Sequence, residues 1–147
     1  MMFASRGNRV LGIDAAPLAI QKARAKAKER NSPAEFLLAD ALRLDELGMR
    51  FDVATDCGLF HTFSDQERVL FVESLGRILT MRGKYFMLCF SDREPAGWGG
   101  LRRVSREEIA ASFSKGWSVD SIRAARFEAS HLGLGGHAWL AALSRAG

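Results

Sequence analysis

The chain has 147 residues, 48% hydrophobic and 26% charged, which suits one globular domain with a buried core and excludes a disordered or fibrous chain. Lysine and arginine total 21 against 17 aspartate and glutamate, a net charge of +4 spread along the chain, so neither a nucleic-acid partner nor a membrane partner is expected. No apolar run approaches the ~18 residues that cross a bilayer, and the start MMFASRGNR lacks a signal-peptide core, so a cytoplasmic protein is expected, with Cys57 and Cys89 as reduced, buried thiols.

The segment RVLGIDAAPLAIQKAR (9–24) opens the readable structure. Residues 10–13 are a short apolar run, as in a strand buried on both faces. Asp14 follows, and Pro17 stands where a first helical turn tolerates its missing N–H. A helix is expected to about residue 30, with Ala16, Ile20, Ala23 and Ala27 on one stripe and Lys22, Lys26 and Arg30 on a solvated one. Asn31, Ser32 and Pro33 stop it. A second strand is expected at 34–39, ended by Asp40, then a loop or short helical turn through Gly48. A third strand, FDVATD at 51–56, again ends in an acid, Asp56.

Ser64 and Glu67 form an S-x-x-E capping box ahead of a helix. Val69, Val72, Leu75 and Leu79 make its apolar stripe, with Phe71 and Ile78 beside it, and Gly83 is its expected stop. A fourth strand is expected at 84–90. Ser105 and Glu108 make a second box, opening a helix to about residue 113. Residues 117–127 and 137–143 read as strands of an antiparallel hairpin, joined by a loop with Gly133, Gly135 and Gly136. The alternation of strand and helix predicts an α/β fold, a Rossmann-like, mostly parallel sheet with helices on both faces. The hairpin would add one antiparallel strand at an edge. Residues 1–147 show no repeat or linker and read as a single domain.

In open parallel sheets, ligands bind beyond the carboxyl ends of the strands. Asp14, Asp40 and Asp56 stand at three such ends. A carboxylate there can accept both hydroxyls of a ribose, and one on the next strand can accept from an adenine amino group. Helix capping by Asp14 or a turn at Asp40 explains either acid alone; their succession is harder to explain that way.

The stretches VLGIDAAPLAIQKAR, AEFLLADALRL, FDVATDCGLFHTF and LGRILTMRGKYFMLCFSD resemble, in order, the motifs of class I S-adenosylmethionine-dependent methyltransferases. The resemblance covers roughly residues 1–92. It implies S-adenosylmethionine as cofactor and a small-molecule substrate. It places the cofactor ribose on Asp14 with Ala15 beside it, the adenine near Asp40 and Ala41, and the methionine portion near Asp56 and Cys57.

The chain departs from the family twice. Met81, Arg82 and Gly83 stand where the family often has Pro-Gly-Gly, a peripheral change. The family's first strand and G-x-G-x-G loop, about forty residues with their helices, do not precede Asp14. A truncated domain is therefore expected, with Met1-Met2 as a downstream start in a longer reading frame. The central strands would then face a gap, so a homo-oligomer or a rearranged sheet is expected, because unpaired buried backbone groups cost about 1–3 kcal/mol each. GWGG at 97–100 and GLGG at 133–136 lack a strand-to-helix context and read as turns.

His61, in GLFHTF, is the candidate base or substrate contact, although methyl transfer often needs alignment more than a base. A loop histidine of structural role is the alternative, and His131 and His137 read as structural. Phe60, Phe63, Trp98 and Trp139 are pocket candidates that equally suit packing. The expected activity is methyl transfer to a small molecule. The competing readings are a truncated, non-catalytic interaction module and, fitting Asp14 alone, a fragment of an NAD-type dehydrogenase.

Overall fold

The computed structural model describes residues 2–95, 102–128 and 136–147. The chain divides into two compact units, Met1–Leu47 and Gly48–Gly147. His131, Trp98 and most of the two glycine-rich turns lie outside the described residues.

In the first unit, β1 (Leu11–Asp14) and β2 (Glu35–Leu38) pair in parallel, joined by α1 (Pro17–Glu29). Gly12 lies opposite Phe36 in the ladder, and a Cβ there would come within 2.6 Å of the Phe36 ring, so the small residue is required for close packing. Of the expected apolar stripe, helix α1 buries Ile20 and Ala27 and half-buries Ala23, whereas Ala16, its N-cap, is exposed; Lys22, Lys26 and Arg30 are exposed as expected. Its Arg24 guanidinium donates to the Phe36 carbonyl at 2.6 and 3.1 Å, tying helix to strand. Asn31, at φ +48°, turns the chain out of the helix. A 3₁₀ segment, Ala41–Leu47, follows β2.

The second unit holds a four-stranded sheet in the order β3-β4-β6-β5: β3 (Phe51–Cys57), β4 (Leu79–Phe90), β5 (Trp117–Arg126) and β6 (His137–Arg145). β3 and β4 are parallel, and β6 is antiparallel to both β4 and β5. The hairpin is thus present, but its antiparallel strand lies inside the sheet with β5 outermost, instead of at the edge. Hairpin partners are adjacent by necessity; which of them meets β4 is decided by the buried faces. Met87 pairs with Ala141 and Tyr85 with Leu143, all four fully or nearly fully buried.

Helices α2 (Asp65–Ile78) and α3 (Arg106–Ser112) start at the two expected capping boxes, each with both reciprocal hydrogen bonds. The end of α2 differs from expectation. It stops at Ile78, and β4 begins at once with Leu79, so Gly83 lies within the strand. Arg82 at φ +61° and the jump in register from Phe51↔Leu79 to Val53↔Lys84 mark an irregularity there. A Cβ on Gly83 would lie 2.8 Å from the Thr80 carbonyl oxygen, so this glycine serves the irregularity and not a helix stop.

The buried stripe of α2 runs Arg68, Phe71, Val72, Leu75, Ile78; Val69 is 58% exposed. The helical period puts residue 68, not 69, in line with 71, 72 and 75. Around Tyr85 the rings of Phe71, Phe113 and Trp117 pack at 5.7–6.5 Å, each such aromatic contributing roughly 1.5–3 kcal/mol by burial. The two cysteines are free, and only Cys89 is buried; Cys57 is exposed. Alternation along the sheet explains the split, because Cys89 shares the helix-covered face with Tyr85 and Met87, whereas Cys57 lies on the opposite face. Among the described residues, no helix is long and apolar enough to cross a membrane.

Candidate functional site

Asp14 is the last residue of β1, and Asp40 follows the end of β2 by two residues. Because the strands are parallel, both acids stand at the carboxyl end of the pair, where the Ala39 N–H also bonds the Asp14 carbonyl. Asp14 Oδ1 accepts from the Ala16 N–H at 2.8 Å, a local turn at the entrance of α1. Its other carboxylate oxygen has no partner among the described residues, and the residue is exposed. Asp40 is built alike: Oδ1 accepts from the Leu42 N–H at 2.9 Å, and Oδ2 stands 3.9 Å from the Arg43 guanidinium, an exposed contact of small value. Ala15 is exposed and Ala41 half-buried.

Asp56 is different. Its Oδ1 accepts from the Leu59 N–H at 2.7 Å, and its Oδ2 accepts from the Phe60 N–H at 3.1 Å and the Tyr85 hydroxyl at 2.8 Å. Burial raises its pKa above the ordinary carboxylate value, and these three donors oppose the rise. The carboxylate therefore closes the turn after β3 and is fully engaged within the protein. Cys57 stands beside it with its side chain exposed, its thiol pKa raised by burial and by the neighbouring Asp56.

His61 lies in the 3₁₀ turn Phe60–Thr62 and is 5% exposed. Its Nδ1 accepts from the Phe90 N–H at 3.3 Å, and its ring packs on Phe90 at 4.7 Å and edge-on to Phe127 at 6.0 Å. Burial, and secondarily Arg68, lowers its pKa. The bond from the Phe90 N–H needs an unprotonated Nδ1, and the lowered pKa acts in the same direction. With Nδ1 accepting, the proton sits on Nε2, so the ring presents a donor and not a base. Of the pocket candidates, Phe60 and Trp139 are core residues, at 0% and 2% exposure.

Two further residues of the second unit carry roles that the sequence reading missed. Tyr85 supplies the hydroxyl on Asp56 from a position 1% exposed. Arg68, 4% exposed, lies 4.7 Å over the Phe60 ring and pairs with Glu108 at 3.3 Å, while Nε and Nη2 have no hydrogen-bond partner among the described residues. A charged residue inside an otherwise apolar helical stripe was the available signal for Arg68; a tyrosine facing a strand-end acid across 29 residues had none. A cavity of about 270 Å³ adjoins Arg68, but its carboxylates, Asp65 and Glu108, are paired with Arg102, and it holds none of the strand-end acids.

Comparison with known proteins bears on the family and the fold. The profile of the methyltransferase domain family matches residues 1–83. A 2-heptyl-1-hydroxyquinolin-4(1H)-one methyltransferase of Mycobacteroides abscessus is 33% identical over 132 residues, 88% of this chain. The chain spans 58% of that relative's length. A structure solved in work on conversion of a disulfide bond into a thioacetal group during echinomycin biosynthesis superposes with a TM-score of 0.86 at 28% identity, covering 99% of this chain and 69% of the other. The 1,6-didemethyltoxoflavin-N1-methyltransferase of Burkholderia thailandensis, solved with S-adenosylhomocysteine, has a TM-score of 0.74 at 19% identity, covering 99% and 65%, a likeness of fold. The parallel strand pairs, the antiparallel hairpin strand and the profile match have one common source: the chain belongs to the class I S-adenosylmethionine-dependent methyltransferase family.

Proposed function

We propose that this chain acts in S-adenosylmethionine-dependent methyl transfer to a small-molecule acceptor. The observation that carries the reading is Asp14: an exposed carboxylate at the carboxyl end of β1, with one oxygen spent on its own turn and the other uncommitted. That oxygen suits a ribose hydroxyl, which needs a fixed acceptor to exchange for water. Asp40 and Ala41, at the same end of the neighbouring strand, suit the adenine. When bound, the cofactor supplies an electrophilic methyl group on a sulfonium. Cys57 is assigned to the methionine portion. Asp56 is assigned there through the turn it closes, since its own oxygens are engaged. His61 is assigned to the acceptor side as a hydrogen-bond donor, with Phe90 and Phe127 as aromatic neighbours.

A planar heteroaromatic acceptor suits those rings, and the hydroxyquinolone named for the M. abscessus relative is the first compound to assay. The profile match crosses the boundary between the two compact units, which supports reading them as parts of one methyltransferase-like domain. The free cysteines support a cytoplasmic location. Self-association is part of the reading, because β3 pairs on one edge only among the described residues.

Calorimetric titration with S-adenosylhomocysteine tests the assignment. The chain is expected to bind it, and Asp14→Ala is expected to weaken binding by about 10- to 100-fold, the loss of a charged hydrogen bond. Undiminished binding in the variant, or binding of NADH in preference, would overturn it.

A further inference from the structure

We propose that Asp56 is a positioning residue: through the turn it closes, its carboxylate holds the His61 imidazole as an Nε2–H donor. The proposal deepens the assignment of His61 above and rests on it. The Asp56 carboxylate collects the Leu59 and Phe60 N–H groups and the Tyr85 hydroxyl, at 2.7, 3.1 and 2.8 Å. The first two belong to the residues directly before His61. The third comes from the sheet beneath, where Tyr85 is 1% exposed and ringed by aromatics, so the hydroxyl has a fixed place.

The turn is held at further points. The Gly58 N–H donates to the Leu88 carbonyl at 2.9 Å, bonding the turn back to β4. Gly58 adopts φ +92°, a conformation that favours glycine, and a Cβ there would stand 3.7 Å from His61 Cε1. Phe60 is fully buried, with the Arg68 guanidinium 4.7 Å over its ring and Phe113 at 5.8 Å. The backbone that carries His61 therefore cannot slide without breaking bonds to Asp56 or withdrawing Phe60 from the core.

From the other side, the Phe90 N–H donates to His61 Nδ1 at 3.3 Å. Two anchors thus fix the ring: the Asp56 turn sets its backbone, and Phe90 selects the tautomer. A ring so held cannot take a proton at Nδ1 without giving up the Phe90 bond. Its use toward a methyl acceptor is orientation, by donation to an acceptor oxygen whose other lone pair stays free to attack the methyl group, and not proton abstraction.

The test reads the His61 ring nitrogens by two-bond ¹H–¹⁵N correlation spectra of the full chain at neutral pH, with His61→Gln assigning the signals. In the unmodified chain one tautomer is expected, protonated on Nε2. In Tyr85→Phe, and in Asp56→Asn, which cannot accept on the amide nitrogen, the His61 nitrogens are expected to move toward averaged tautomer values. Lower melting temperatures with His61 signals superimposable on the unmodified chain would make the Asp56–Tyr85 pair merely structural and overturn the proposal. So would an averaged tautomer in the unmodified chain. Asp56→Asn preserves size and one acceptor oxygen, so it serves should Tyr85→Phe fail to fold. No cofactor enters the measurement, so its failure leaves the Asp14 titration standing, and the reverse also holds.

Discussion

Burial acts in opposite senses on the two titratable groups of the turn after β3. The pKa of His61 is lowered from its ordinary 6.5, first by burial and then by Arg68. As pH falls below 6.5 the unfolded chain takes up a proton that the folded chain refuses, so this group's contribution to stability is complete above that value and declines toward the lowered folded-state pKa. Asp56, with its pKa raised by burial, gives the reverse: its contribution is fullest below the ordinary 3.8 and is lost as pH rises through its folded-state value. From neutral pH into the mildly acidic range the His61 contribution should therefore fall while that of Asp56 opposes it, so the readout is the difference: His61→Gln should shift the pH slope of the urea midpoint toward greater stability in acid, and an unchanged slope would show that His61 does not stay neutral. The cysteines give a second residue-scale prediction. Exposed Cys57 should take up a maleimide in the folded chain, slowly because its pKa is raised. Buried Cys89, pushed up to about 12, should react only on unfolding, so mass spectrometry should count one adduct native and two denatured. Neither contrast was legible in the sequence. Both cysteines sit in apolar runs, and only the pairing of β3 with β4 shows which face each side chain takes.

At the scale of elements, what was legible was local chemistry. The S-x-x-E boxes at Ser64 and Ser105 are read within four residues, and both appear with reciprocal bonds, Glu67 Oε2 accepting from the Ser64 N–H at 2.8 Å and Glu108 Oε2 from the Ser105 N–H at 2.7 Å. Ser64→Ala and Ser105→Ala should each cost about 1 kcal/mol in chemical denaturation. The effect should show more in local hydrogen exchange of α3, which has 7 residues against 14 in α2 and so fewer turns to hold it once its first is loosened. Gly83 was misread for a physical reason. A glycine after an apolar helical run signals a C-cap, but here the helix passes into β4 through Leu79, already extended, and the glycine is demanded four residues later by the carbonyls of Thr80 and Asp52. Gly83→Ala should destabilise the chain by about 1–3 kcal/mol, since the contacts are with backbone that cannot rotate away. A melting temperature equal to that of the unmodified chain would place the strain elsewhere. The insertion of β6 between β4 and β5 was likewise beyond sequence reach, because it depends on which hairpin strand matches the buried residues of β4.

At the scale of the whole molecule, the order of strands and acids was legible because each acid ends an apolar run, while the division into two sheets is a matter of pairing. Within the described residues β1 pairs only with β2, and β3 only with β4. The edge of β3 away from β4 has no strand partner among the described residues, and Val53 on that strand is 50% exposed, without the lysine or proline that blunts an edge in many sheets. Association of two copies along such an edge would pair backbone groups that have no strand partner among the described residues. The opposing force is the net charge of +4 on each copy, a repulsion that salt screens with a Debye length of about 8 Å at physiological ionic strength. Sedimentation velocity should therefore show a dimer that tightens as salt is raised, the reverse of an assembly held by ion pairs. Val53→Lys should return the protein to a monomer without lowering its melting temperature, because the side chain it replaces is half in solvent already. A monomer at all salt concentrations would mean that the edge of β3 is covered in some other way.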